Sequence, residues 1–219
     1  MALAGVFAPG STTARRRIGR AYLELFLGWA LLEAALWSTG KEQVLLGLGA
    51  LATMAAFNYG SQVSATEQGF SMRANRRGLW VVAVALVLSD GMLLAGQIAG
   101  TLHPLYGIRT PFWHALGYVV WAFVQEWMSL GFVLVRLERM TTGRFAVLGC
   151  ALIFSLAHVP NTALMATTFV MCVVFVLVFR RYRALYPLAI SHAILGMSLA
   201  LSVPPPALHF MRVGAAYFR

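Results

Sequence analysis

The sequence is short of charge and almost empty of lysine. Only 11% of its 219 residues are charged, against about 25% in an ordinary soluble domain. Acidic residues number 7, and the single lysine is Lys41. With 60% hydrophobic residues besides, disorder, a solenoid and an ordinary soluble enzyme are all excluded. Cysteine is scarce too. Cys150 and Cys172 both fall in apolar runs, without a CxxC partner or a histidine at metal-ligand spacing. That pattern supports neither a disulfide framework nor a zinc site, and both thiols read as buried packing. The first twenty residues lack the basic-then-apolar order of a cleavable signal peptide. An inverted repeat of the transporter kind is missing as well.

What the chain does have is apolar runs long enough for helices rather than barrel strands. Spans are expected near 20–38, 42–59, 78–100, 113–138, 144–160, 164–180 and 184–203. Seven spans of roughly 20 residues take about 140 positions, which leaves no room for a separate soluble domain. The expectation is an all-α polytopic transmembrane bundle forming one integral membrane domain over 1–219, with the lipid bilayer as its surroundings. The basic residues fall between the runs. Arg15, Arg16, Arg17, Arg20, Arg73, Arg76, Arg77, Arg136, Arg139, Arg144, Arg180, Arg181 and Arg183 collect on one side if the N-terminus is inside. Lys41, Arg109, Arg212 and Arg219 are left outside, and that bias sets the N-terminus in the cytoplasm. The net charge of +10 is therefore topological. No basic groove with interleaved aromatics exists, so a nucleic-acid partner is not expected. The stretch 60–77 is polar and cytoplasmic, with room for a short interfacial helix. Positions 101–112 read as an external loop through Pro104, Gly107 and Pro111, and Pro204–Pro206 end the last span.

Ionisable side chains inside hydrocarbon each need a reason. Glu24 follows Arg20 by four residues and reads as an interfacial ion pair. Glu33 lies near the outer end of its span, and Asp90 at mid-span reads as a contact to a neighbouring helix. Glu126, His158 and His192 form a different set. Counted from positions 138, 144 and 184, they sit roughly 18, 21 and 12 Å deep at about 1.5 Å per residue, on three helices. A carboxylate and two imidazoles at shared depth suit water activation and oxyanion stabilisation. A structural hydrogen-bond network suits them equally. His114, Tyr118, Trp121 and Gln125 share one helix face leading to that region, and such a polar-aromatic stripe reads as packing.

The residues around these positions resemble the CPBP family of intramembrane proteases, the CAAX-prenyl endopeptidase and Abi group. Its first motif is two glutamates, three residues, then Arg and commonly Gly. Gln125-Glu126-Trp127-Met128-Ser129-Leu130-Gly131-Phe132 aligns with it in register. Phe154-Ser155-Leu156-Ala157-His158 carries the second motif, Phe-x-x-x-His. His192-Ala193-Ile194-Leu195-Gly196 carries part of the third, His-x-x-x-Asn or Asp. The motif-bearing core runs over 113–203. The resemblance implies a glutamate-type endopeptidase cleaving a membrane-anchored protein or peptide, in a bacterial inner membrane. It makes Glu126 and His158 the water-activating pair and His192 the oxyanion donor. It implies no cofactor, and the sequence holds no HExxH to bind zinc.

Three positions depart from the pattern: Gln125 replaces the first glutamate, Leu130 the arginine and Gly196 the amide. Gln125 cannot act as a base, so it is expected to position water or substrate while Glu126 takes the catalytic role. Asn161, three residues past His158, is a candidate for the missing amide. Gln125, Tyr186-Pro187 and the His209-x-Met211-Arg212-Val213-Gly214 segment resemble a bacterial myxosortase-like subgroup, which is associated with processing C-terminal sorting tails. The competing reading is an inactive CPBP-like scaffold or maturation partner. Geometry separates the two: Glu126 and both histidines lining one cavity favour a protease, whereas Glu126 facing lipid or a dry helix interface favours a scaffold.

Overall fold

The computed structural model describes residues 12–104 and 111–219. Nine α-helices cover most of the described chain, which contains no strand. They are α1 (Thr12–Leu36), α2 (Gly40–Gly60), α3 (Met72–Gly78), α4 (Trp80–Ile98) and α5 (Pro111–Glu126). Next come α6 (Val135–Met140), α7 (Gly143–Leu156), α8 (Thr162–Tyr182) and α9 (Leu185–Ser202). Between α5 and α6 the chain continues as a π-helical segment, Trp127–Leu134. Two short 3₁₀ turns, Pro205–Met211 and Gly214–Phe218, close the chain. Each expected span coincides with one helix or, for 113–138, with the continuous run from α5 through the π segment into α6. The polar 60–77 stretch contains α3. Of the expected external loop, residues 105–110 lie outside the described residues, Gly107 and Arg109 among them.

Burial is inverted relative to a water-soluble protein. Val87 is 71% exposed and Val170 64%, while Glu24, Glu126, Arg136 and His192 are each 5% exposed or less. Outward aliphatic side chains suit a hydrocarbon solvent, which cannot satisfy polar groups, so those turn inward. Four helical stretches are long and apolar enough to cross a bilayer: Met72–Ile98, Trp113–Met140, Thr162–Tyr182 and Leu185–Ser202. The protein is thus an all-helical integral membrane protein. Helix α7 is apolar but shorter. It stops at Leu156, before the expected limit of 160, because the chain turns over 157–161 to start α8. Asn161 begins that helix by accepting the Leu164 N–H at 3.1 Å, an N-cap that satisfies one of the orphan donors of the first turn.

Nothing in the local pattern of residues signals the π-helix. An i→i+5 register leaves carbonyls that side chains must satisfy. Here Asn58 of α2 donates to the Gly131 carbonyl at 3.2 Å and to Gln68 Oε1 at 2.8 Å. Trp127 Nε1 donates to the same Gln68 oxygen at 3.1 Å. Next to them, the fully buried Arg136 donates to Glu24 Oε2 at 3.1 Å, to Asn58 Oδ1, and to the Phe132 carbonyl at 3.3 Å. Glu24 Oε1 accepts from Arg20 and from Ser61, both at 2.7 Å. The expected Arg20–Glu24 pair is therefore present, and it belongs to a larger network joining α1, α2 and the π segment. Arg180 and Arg183 bind Glu138 at 3.2 and 2.6 Å, and Arg139 lies 3.7 Å from Glu67. These contacts gather the basic ends of α6 and α8 with the 61–71 loop.

Helices α4 and α9 pack along their length, with a Ser89–Ser198 hydroxyl bond at 2.5 Å. Near the end of that contact, a β-carbon on Gly96 would lie 3.1 Å from Ser202 Cα, so the small residue permits the close approach.

Candidate active site

A cavity of about 280 Å³ lies among the helices, with a largely apolar wall. Gln125, His158, His192 and Gly196 all line it. Positions from all three motifs, some matching the pattern and some departing from it, thus share one wall. That wall is contributed by α5, the α7–α8 turn and α9.

Successive helical residues point about 100° apart, and this separates the two members of the first motif. Gln125 turns to the cavity. Glu126 turns toward α9, is 2% exposed and is not on the cavity wall. Its Oε1 accepts the Nδ1–H of His192 at 2.8 Å. His158 closes the turn after α7, and its Nδ1–H donates to the Phe154 carbonyl at 2.9 Å. A backbone carbonyl only accepts, so this bond fixes the proton on Nδ1. The ring of Phe154 meets both imidazoles edge-on, with centroids 5.2 Å from His158 and 6.0 Å from His192. No Nε2 hydrogen bond is made by either histidine among the described residues, so each ring is held from one nitrogen with the other unengaged.

The expectation that Glu126 lines the cavity with both histidines is thus not met: it meets His192 and not His158, though it faces neither lipid nor an apolar helix contact. The π segment starts at the very next residue, and such irregularities often accompany function. It brings Ser129 to the cavity wall, where its hydroxyl also lies 3.4 Å from Cys150 Sγ and 3.7 Å from Cys172 Sγ. Both cysteines are free and buried. Among the described residues no group of three His, Cys, Asp or Glu is placed to hold a metal ion.

Other candidates take structural places. Asn161 caps α8 with its carbonyl oxygen, and its amide donates to Leu208 O at 2.7 Å and Arg212 O at 3.2 Å. With its amide spent on holding the C-terminal turn, it does not supply the group missing at 196. Glu33 accepts from Trp37 Nε1 at 3.2 Å. Asp90 is exposed on the outer side of α4, away from the cavity.

Sequence reasoning undervalued one feature. Tyr118, Trp121 and Gln125, three of the four residues in the stripe on α5, line the cavity. Their helical spacing was the available signal, but spacing does not say which neighbour a face meets. Met211 and Val213 of the C-terminal segment also reach the wall. That segment is tied to the His158 turn by the Gly214 N–H donating to the Val159 carbonyl at 2.8 Å.

No curated protein and no solved structure matches the chain. Residues 107–197 match the sequence model of the family described as type II CAAX prenyl endopeptidase Rce1-like. The matched segment runs from before α5 into α9 and contains Gln125, Glu126, His158 and His192. Over that segment, the chain is similar to the CPBP/CAAX protease family.

Proposed function

We propose that this protein is an intramembrane endopeptidase that hydrolyses a membrane-anchored protein or peptide at the cavity. The similarity of residues 107–197 to the family supports a protease activity; the residue roles are inferred from geometry. The observation that carries them is the pair of imidazoles on one wall, each anchored through Nδ1, with Glu126 bonded to one of them. Hydrolysis in a bilayer needs a water-holding site enclosed by protein, and a cavity with two half-engaged imidazoles suits that need.

In this scheme His158 Nε2 takes a proton from a water molecule. The water oxygen bonds to the scissile carbonyl carbon, and the C=O electron pair moves onto oxygen. His192 Nε2–H holds that oxyanion, with Glu126 as counter-charge at Nδ1 for a ring protonated on both nitrogens. The C–N bond then breaks and the leaving nitrogen takes the proton from His158, giving a carboxylic acid and an amine. The family resemblance pairs Glu126 with His158 in water activation. The 2.8 Å contact favours Glu126 acting through His192 instead. Gln125 supplies an amide that orients water or the substrate carbonyl.

The chain is further proposed to be a single seven-span domain with its basic end and N-terminus in the cytoplasm of a bacterial inner membrane, and to take C-terminal sorting tails as substrate. Comparison of membrane proteomes from cells carrying the wild type or His158→Ala tests the reaction. An uncleaved precursor should accumulate in the variant. If none does, and the variant is stably inserted, the scaffold reading replaces this one.

A further inference from the structure

Gly196 lies one helical turn after His192 on α9, on the cavity wall. The room that a side chain would need there is taken. A β-carbon built on Gly196 would overlap the hydroxyl of Tyr118 and lie 2.9 Å from its Cζ. Tyr118 comes from α5, two turns before Gln125, and its ring meets His192 edge-on with centroids 6.4 Å apart and planes at 80°. The tyrosine therefore spans the same turn of α9 that carries His192 and ends with its hydroxyl over the bare backbone of Gly196. That hydroxyl has no hydrogen-bond partner among the described residues. Tyr118 itself lines the cavity.

We propose that Tyr118 is a catalytic residue, its hydroxyl donating the second hydrogen bond to the oxyanion beside His192, and that Gly196 is small in order to admit it. This rests on the hydrolytic reading above. A phenol is a good donor for this task. It is neutral in the resting site, can turn its O–H toward a developing charge, and is held by a rigid ring with only two side-chain torsions. An oxygen atom placed at the cavity wall with no resting partner is what a donor reserved for the transition state requires. A tyrosine present only for packing would bury its hydroxyl against an acceptor or turn it to the headgroup region. The inference also gives the α5 stripe a purpose. Tyr118 and Gln125 stand two turns apart on one face, so two neutral donors approach the wall carrying both imidazoles.

The test measures conversion of the accumulating precursor by pulse-chase in cells expressing wild type, His158→Ala, Tyr118→Phe, Gly196→Ala, or the last two combined. Membrane abundance and thermal stability in detergent are measured for each. Tyr118→Phe keeps the ring against His192 and removes only the hydroxyl, so conversion should slow roughly 10²-fold, the usual loss for one oxyanion donor. Gly196→Ala displaces the hydroxyl without touching the tyrosine and should give a comparable loss. Added to Tyr118→Phe it should cost little more, because the atom it displaces is already gone. Wild-type conversion by a stable Tyr118→Phe protein overturns the inference and leaves the hydrolytic reading standing. So does full additivity of the two substitutions. Absence of any precursor in His158→Ala cells overturns both.

Discussion

Glu24 and Glu126 are both buried carboxylates facing a basic group on another helix, and the difference between them lies in what is left over. Around Glu24 both oxygens are bonded, to Arg20, Ser61 and Arg136. Arg136 in turn stacks over the Phe132 ring at 3.8 Å and bonds Asn58 and a backbone carbonyl, leaving only Nε without a partner among the described residues. That network joins α1, α2 and the π segment and touches no open volume through its charged groups. At Glu126 the pairing partner is an imidazole with a second nitrogen, and that imidazole lines a cavity. Saturated polar networks fix a fold, whereas a network with one open valence at a cavity can accept a reactant. The same chemical types, a carboxylate and a nitrogen cation or ring, thus carry structure in one place and, on the proposed mechanism, chemistry in the other.

Five substitutions probe that contrast. The largest effects are expected at the cavity-lining imidazoles and at the carboxylate paired with one of them. Removing a general acid–base group typically costs 10²–10⁴-fold, so His158→Ala should stop precursor conversion in practice, with the protein still folded by thermal unfolding in detergent. Glu126→Gln should fall within the same range, because the neutral amide no longer balances a protonated His192. Full conversion by Glu126→Gln would show that Glu126 is structural like Glu24 and dissolve the contrast.

At the saturated pair the loss should appear in stability. Arg136→Met leaves Glu24 Oε2 and Asn58 Oδ1 without their donor in the interior, and deleting one partner of a buried pair costs about 3–5 kcal/mol, the lower figure applying here because Arg20 and Ser61 still hold Oε1. Detergent-phase unfolding should register that loss, while conversion per folded molecule stays near the wild-type rate. A smaller effect is expected at Gln125. Gln125→Ala removes an orienting amide but no proton acceptor, and should slow conversion less than tenfold, on the order of a single neutral hydrogen bond of about 1 kcal/mol. The smallest belongs to Glu67 in the 61–71 loop. Burial opposes its charge, but hydrogen bonds from the Ser64 N–H and hydroxyl at 2.8 Å and the Arg139 guanidinium hold its carboxyl below the ordinary range. A depressed carboxylate stabilises the fold above its unfolded-state pKa and loses that contribution as the pH falls through its folded-state value. Glu67→Gln should therefore change unfolding by about 0.5 kcal/mol or less at neutral pH, and by still less in acid.

How far the site was readable in advance varies residue by residue. His158 and His192 stand out in sequence because an ionisable group in an apolar run is costly and demands a purpose. Gln125 and Glu126 are neighbours, so their divergence by about 100° follows from helical geometry. Which of them meets the cavity does not. The Arg20–Glu24 pair follows from i,i+4 spacing, but its buried extension to Arg136 joins residues 112 positions apart, which no local pattern reveals. Tyr118 was visible only as part of a stripe.

The membrane environment, the placement of the helices and the identity of the ionisable groups inside them can all be read along the chain. Those properties are local: transfer of a side chain into hydrocarbon, helical rise and turn residues depend on near neighbours in sequence. Three-dimensional packing was needed to bond Glu126 to His192 rather than His158, to spend Asn161 on a cap, and to lay the Tyr118 hydroxyl over Gly196. Hydrogen bonds reach about 3 Å, so these pairings depend on how α5, α7 and α9 rotate and cross. Packing at that level is set by the sum of many side-chain contacts along each helix, and no single stretch of sequence contains it.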